Sequence, residues 1–167
     1  GERRIRSLLF SLTDAIQELQ EIGSLIKKDS LAIVDVIKNI DEMAYSKKDE
    51  DKYKKRTVSL IHSMKTLHEK KQELLVIIAE VPKTARKQYE KKYDLLDKKT
   101  EEILANLDLN KKILDEMIKR ISKQAQYMDD DDAKSIRKVM GQITAIENSL
   151  KTVKNRLIQA NLRLVIN

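Results

Sequence analysis

The chain has 167 residues, the length of one ordinary domain, and 37% of them are charged, while only three are Gly and one is Pro. This composition is typical of helices and argues against an all-β core and against a disordered chain. The chain contains no Cys, which excludes disulfides and thiolate chemistry, and no apolar run approaches the ~18 residues of a membrane span. We therefore expect an all-α fold, an elongated multi-helix bundle of five or six helices. We also expect the protein to be cytoplasmic and to have no membrane contact.

The net charge of +7 is unevenly distributed. Residues 1–43 hold six Lys or Arg against eight Asp or Glu, and residues 44–132 hold 21 against 18. Residues 133–167 hold seven against one, so much of the basic excess lies in the last segment. Such a surface can meet nucleic acid or an acidic protein, although it is equally typical of a solvated helix.

The N-terminal segment predicts a single amphipathic helix, because its apolar residues share one side of a helical wheel. They are Ile5, Leu8, Leu9, Leu12, Ala15, Ile16, Leu19 and Ile22. Gly23 weakens this helix near its end, and residues 31–43 then predict a short second helix with Ser30 as its N-cap. The highly charged residues 45–55 predict an exposed loop or a frayed helix start.

The middle of the chain predicts three longer helices. The first spans about residues 53–80 and is ended by Pro82, because proline lacks the backbone donor and disfavours helix at the preceding residue. Residues 83–107 form the second, with its tyrosines on the apolar side. The third begins at a cap provided by Asp108 or Asn110.

The acidic run Asp129–Asp132 is the one cluster that suggests a metal site, and its spacing argues against one. A calcium-binding loop places ligands at alternate positions, with a Gly at the turn and a distant Glu, and this pattern is missing. We interpret the run as a loop whose last Asp caps the following helix.

The sequence also lacks the patterns that catalysis requires. His62 and His68 do not form the HExxH pattern of zinc proteases; we expect His62 to be exposed and His68 to border the packed face. The three Gly residues are too scattered to form a phosphate-binding loop. We predict that the chain is not an enzyme, and we assign no catalytic residue, metal, cofactor or small-molecule substrate.

The last segment predicts a long helix that can bend at Gly141 and keeps an apolar side over residues 143–166. The end of this helix resembles the ANLRLV segment that opens conserved region two of the primary bacterial sigma factors, the sigma-70 family. In that family a basic helix precedes the segment, and here Lys151, Lys154 and Arg156 do so. The matching residues, called the sigma-like segment below, are Ala160, Asn161, Leu162, Arg163, Leu164, Val165 and Ile166.

Residues 3–42 are similar to the stretch that begins the variable insertion of primary sigma factors. The resemblance therefore implies that residues 1–150 are the non-essential, or non-conserved, helical insert and that residues 151–167 are the truncated start of conserved region two. Residues 44–132 match by helical character alone. The family has a small residue in place of Asn167 and a further motif after it, and the chain starts at Gly1 rather than Met, so we expect an excised piece.

The resemblance implies an accessory insert of a sigma factor that packs beside region two and faces the RNA polymerase core, chiefly its largest subunit. The chain would contact promoter DNA only as part of the parent protein. A basic contact surface is expected from Lys134, Arg137, Lys138, Lys151, Lys154, Arg156 and Arg163. Because the two ends of the insert meet beside region two, we expect Leu157 and Leu164 to be buried against the N-terminal helix. Their expected neighbours are Leu12 and Leu19.

Two other interpretations share the same helices. One is a structural helical bundle or coiled-coil adaptor, against which the irregular apolar spacing argues. The other is a basic helical domain that binds nucleic acid by itself. The tyrosines argue against it, since they lie on an apolar side rather than between lysines, where they could stack on bases.

Overall fold

The chain is mainly α-helical, in a computed structural model that describes residues 1–38, 40 and 46–166. The helices are α1 (Glu2–Leu9), α2 (Thr13–Lys27), α3 (Lys47–Glu80), α4 (Lys83–Leu107), α5 (Lys111–Ala125) and α6 (Asp130–Ile166). These described residues form no β-strand, although an isolated antiparallel bridge joins Ile37 and Leu109. The predicted all-α, multi-helix fold is confirmed.

The N-terminal segment forms two helices, so the prediction of a single helix was wrong. α1 ends at Leu9 and α2 begins at Thr13. Between them the Ser11 hydroxyl donates to the Leu8 carbonyl oxygen at 2.6 Å, which competes with continued helical bonding. The apolar spacing continues across this break, so periodicity alone does not reveal it.

α2 packs closely against α3 at Gly23. A Cβ atom at position 23 would lie 3.4 Å from side-chain atoms of Ile61, an ordinary van der Waals distance, so the two helices are in direct contact here. α2 continues past this glycine to Lys27. Residues 31–43 were predicted as a helix, but over their described part a short 3-10 turn forms at Ile33–Asp35 instead. Residues 39 and 41–45 lie outside the described part of the chain.

α3 begins and ends at local signals in the sequence. The Ser46 hydroxyl accepts from the Asp49 backbone N–H at 3.2 Å, and the Asp49 carboxylate accepts from the Ser46 backbone N–H at 3.4 Å. This capping box starts the helix before the predicted position at Tyr53. Val81 is extended and Pro82 precedes α4, so the proline ends α3 as predicted. α3 and α4 pack side by side as an antiparallel helical hairpin.

The link between α4 and α5 is fixed by Asn110. Its Oδ1 accepts from the Ile113 backbone N–H at 2.9 Å, which confirms it as the cap of α5. Its Nδ2 donates to the Asp35 carbonyl oxygen at 2.6 Å and so ties the link to the 3-10 turn. Asp108, the other predicted cap, has φ 49° and closes α4 in the left-handed conformation.

α6 begins inside the acidic run, so the prediction of a loop capped by its last Asp was wrong. The helix starts at Asp130, and three aspartates occupy its first turn, where the helix dipole favours negative charge. α6 also passes through Gly141 without interruption, and a Cβ atom there would meet nothing within 4 Å. The predicted helix over 143–166 is thus the C-terminal part of a helix of 37 residues.

The contacts divide the chain into two compact units, each with its own apolar core. One unit comprises Gly1–Leu12 together with the chain from Ile118 onward, and the other comprises Thr13–Met117. The buried apolar residues of the first unit include Leu9, Phe10, Leu12, Ile121, Ala125, Ala133, Ile136 and Ile143. Those of the second include Ile16, Leu19, Ile22, Ile26, Ile33, Val36, Ile61, Met64, Leu104, Leu107, Leu109, Ile113 and Met117.

Candidate interaction surfaces

α6 carries the sigma-like segment and all seven residues of the expected basic surface. Its N-terminal part is anchored, since Ala133, Ile136 and Ile143 are buried in the first unit. From residue 147 to residue 165 every side chain is exposed. The sigma-like segment therefore occupies the last turns of a helix whose described side chains all face solvent there.

The seven basic residues lie on more than one side of α6. On a wheel of 100° per residue, Lys134, Lys138, Arg156 and Arg163 fall within an arc of about 40°. Between Lys138 and Arg156 the helix rises about 27 Å, so this side carries two separate pairs. The remaining three residues lie at other angles, and the Arg137 guanidinium contacts the Asp130 carboxylate at 3.1 Å.

An apolar stripe follows the exposed part of α6. It comprises Leu150, Val153, Leu157 and Leu164, which share an arc of about 60° on the helical wheel. Leu157 is 61% exposed and Leu164 is 78% exposed, so the prediction that they are buried was wrong. Leu12 and Leu19, their expected neighbours, are both buried.

α1 contacts only the start of the stripe. α1 packs against α6 and contains 8 residues, which corresponds to a length of about 12 Å. Gly1, at its start, lies against the Leu150 side chain. The positions of α6 beyond Leu150 therefore have no covering element in the described part of the first unit.

A second surface, which the sequence analysis missed, is a groove of about 370 Å³ between α3 and α4. We call it the hairpin groove. α3 lines it with Lys70, Glu73, Leu74 and Ile77, and α4 lines it with Lys92, Leu95, Leu96 and Lys99. Each set follows the spacing i, i+3, i+4, i+7 of one helix side. That repeated spacing could have indicated the groove from the sequence. A helical wheel identifies the apolar side of a helix, but it does not show whether another helix covers that side.

A buried polar contact joins α2 to α3 inside the second unit. Thr13 Oγ1 and His68 Nε2 form a hydrogen bond of 2.9 Å, and His68 is only 5% exposed. Its Nδ1 is buried and has no hydrogen-bond partner among the described residues. Burial lowers the pKa of His68 from its ordinary value, and the nearby Lys71 charge lowers it further. His62 is exposed, so the structure confirms both expectations for the histidines.

Lys71 provides a buried charge between α3 and α4. It is 5% exposed, its Nζ lies 3.4 Å from Asp97 Oδ1, and it stands 5.9 Å from the centroid of the Tyr93 ring. Burial raises the pKa of Tyr93, and the carboxylates of Asp97 and Asp94 raise it further. The contacts of Lys71 with Asp97 and Tyr93 join α3 to α4. The charge of Lys71 also acts on the imidazole of His68, whose pKa it lowers.

Two searches for other kinds of site concern the described residues alone. Within them, no group of three or more His, Asp or Glu side chains is arranged to hold a metal ion. None of the helices in that part of the chain combines the length and the apolar character needed to cross a bilayer.

Comparison of the chain with family models, curated proteins and solved structures found no match. The resemblance to sigma factors therefore stays a prediction from the sequence.

Proposed function

We propose that the chain is the accessory helical insert of a primary sigma factor, running into the start of conserved region two, and that it acts in bacterial transcription initiation in the cytoplasm. It packs beside region two and faces the RNA polymerase core, chiefly the largest subunit. It does not read the promoter itself. The observation that carries the proposal is the sigma-like segment, residues 160–166, at the exposed end of α6.

The exposed apolar stripe supports this assignment. Large apolar side chains that line one side of a helix in solvent are typical of a surface that another element covers. Leu157 and Leu164 form such a surface next to the sigma-like segment. In sigma factors the insert packs beside region two, so a partner for this stripe is expected there.

The arrangement of the basic residues supports a minor role for DNA. A helix that reads DNA aims a continuous set of side chains into one groove. Here Lys138 and Arg156 are about 27 Å apart along α6, with Lys151 and Lys154 turned to another side. This distribution favours weak attraction to any duplex over recognition of a sequence, in line with DNA contact through the parent protein.

A structural helical adaptor is the second candidate function, and the hairpin groove favours it. Two long helices that leave Leu74, Ile77, Leu95 and Leu96 in an open groove resemble a bundle that accepts further helices. This function requires no polymerase, so the same binding experiment distinguishes the two candidates.

The proposal is tested by titrating the fluorescently labelled chain with RNA polymerase core, with a promoter duplex and with a scrambled duplex. We expect saturable binding to core. We also expect equal, weak binding to both duplexes, with dissociation constants at or above roughly 10⁻⁴ M and a steep fall with salt. Tight binding to the promoter duplex that resists salt would instead identify an autonomous DNA-binding domain. Absence of core binding would favour the adaptor.

A further inference from the structure

We draw no further inference here: the strongest candidate, the open apolar groove between α3 and α4, carries none because nothing in the structure shows what covers it.

Discussion

His68 is the buried titratable group whose protonation state depends on the packing of α2 against α3. Burial and the neighbouring Lys71 charge lower its pKa in the folded chain below the ordinary value of 6.5. The unfolded chain then binds more protons than the folded chain as the pH falls below 6.5. The stability provided by neutral His68 is therefore complete above that pH and is lost as the pH falls through the folded pKa.

Replacing His68 by Gln should remove this part of the pH dependence. Between about pH 7.5 and about pH 5.5, the free energy of unfolding of the parent chain should fall more than that of His68→Gln, as measured by urea unfolding. His62→Gln changes an exposed histidine of the same helix and should behave as the parent does. Equal pH dependence in the parent and in His68→Gln would contradict the account of this contact.

Asp97 compensates the buried charge of Lys71. The Lys71 side chain is 6% exposed and the Asp97 side chain 54%, so solvent screens part of the interaction. Asp97→Asn removes the carboxylate and leaves the ammonium in place, which should destabilise the chain by about 1–2 kcal/mol. Asp94→Asn, at an exposed carboxylate of the same helix, should change the stability by less than about 0.5 kcal/mol. Thermal melts of the two variants provide the comparison, and equal melting temperatures would argue against a role for the ion pair.

At the scale of the helices, the two parts of α6 should respond differently to the same kind of substitution. Ile143 is 1% exposed, so Ile143→Ala should cost about 2–5 kcal/mol of unfolding free energy. Leu157 lies on the exposed part of the same helix, so Leu157→Ala should cost less than about 0.5 kcal/mol. Urea unfolding of both variants measures the difference. A large cost at Leu157 would mean that the stripe is covered in solution.

The helices that the sequence predicts well are those with local signals at their ends. Pro82 ends α3 because of its backbone chemistry, and Asn110 caps α5 with its own side chain. The break between α1 and α2 was missed because the apolar spacing continues across Ser11, whose hydroxyl bonds to the Leu8 carbonyl oxygen. The acidic run was ambiguous, because Asp is favourable both at an N-cap and in a first helical turn.

The candidate surfaces were predictable only in part for a related reason. The sequence places the sigma-like segment and the basic residues on the last helix, and α6 contains them. Periodicity identifies the apolar side of that helix, but it does not show whether another element covers Leu157, which is exposed. The hairpin groove depends on which sides of α3 and α4 remain uncovered after α2 packs, and this is a property of the tertiary structure.

At the scale of the whole molecule, the chain contains two units whose exposed apolar surfaces differ in kind. In the unit that contains both ends, the stripe lies on a single helix beside the sigma-like segment. In the unit of Thr13–Met117, the hairpin groove lies between two helices. We propose that the stripe beside the sigma-like segment is covered in the parent protein.

We propose that the chain belongs to a factor that binds RNA polymerase, and a displacement measurement tests this proposal most directly. The labelled chain is bound to polymerase core, and fluorescence anisotropy is followed while an unlabelled full-length primary sigma factor is added. A basic helical protein of similar size and net charge serves as the control competitor. The account predicts weak binding of the chain to core, complete displacement by the sigma factor and no displacement by the control at the same concentration. Displacement by both proteins alike, or no measurable binding to core, would contradict it.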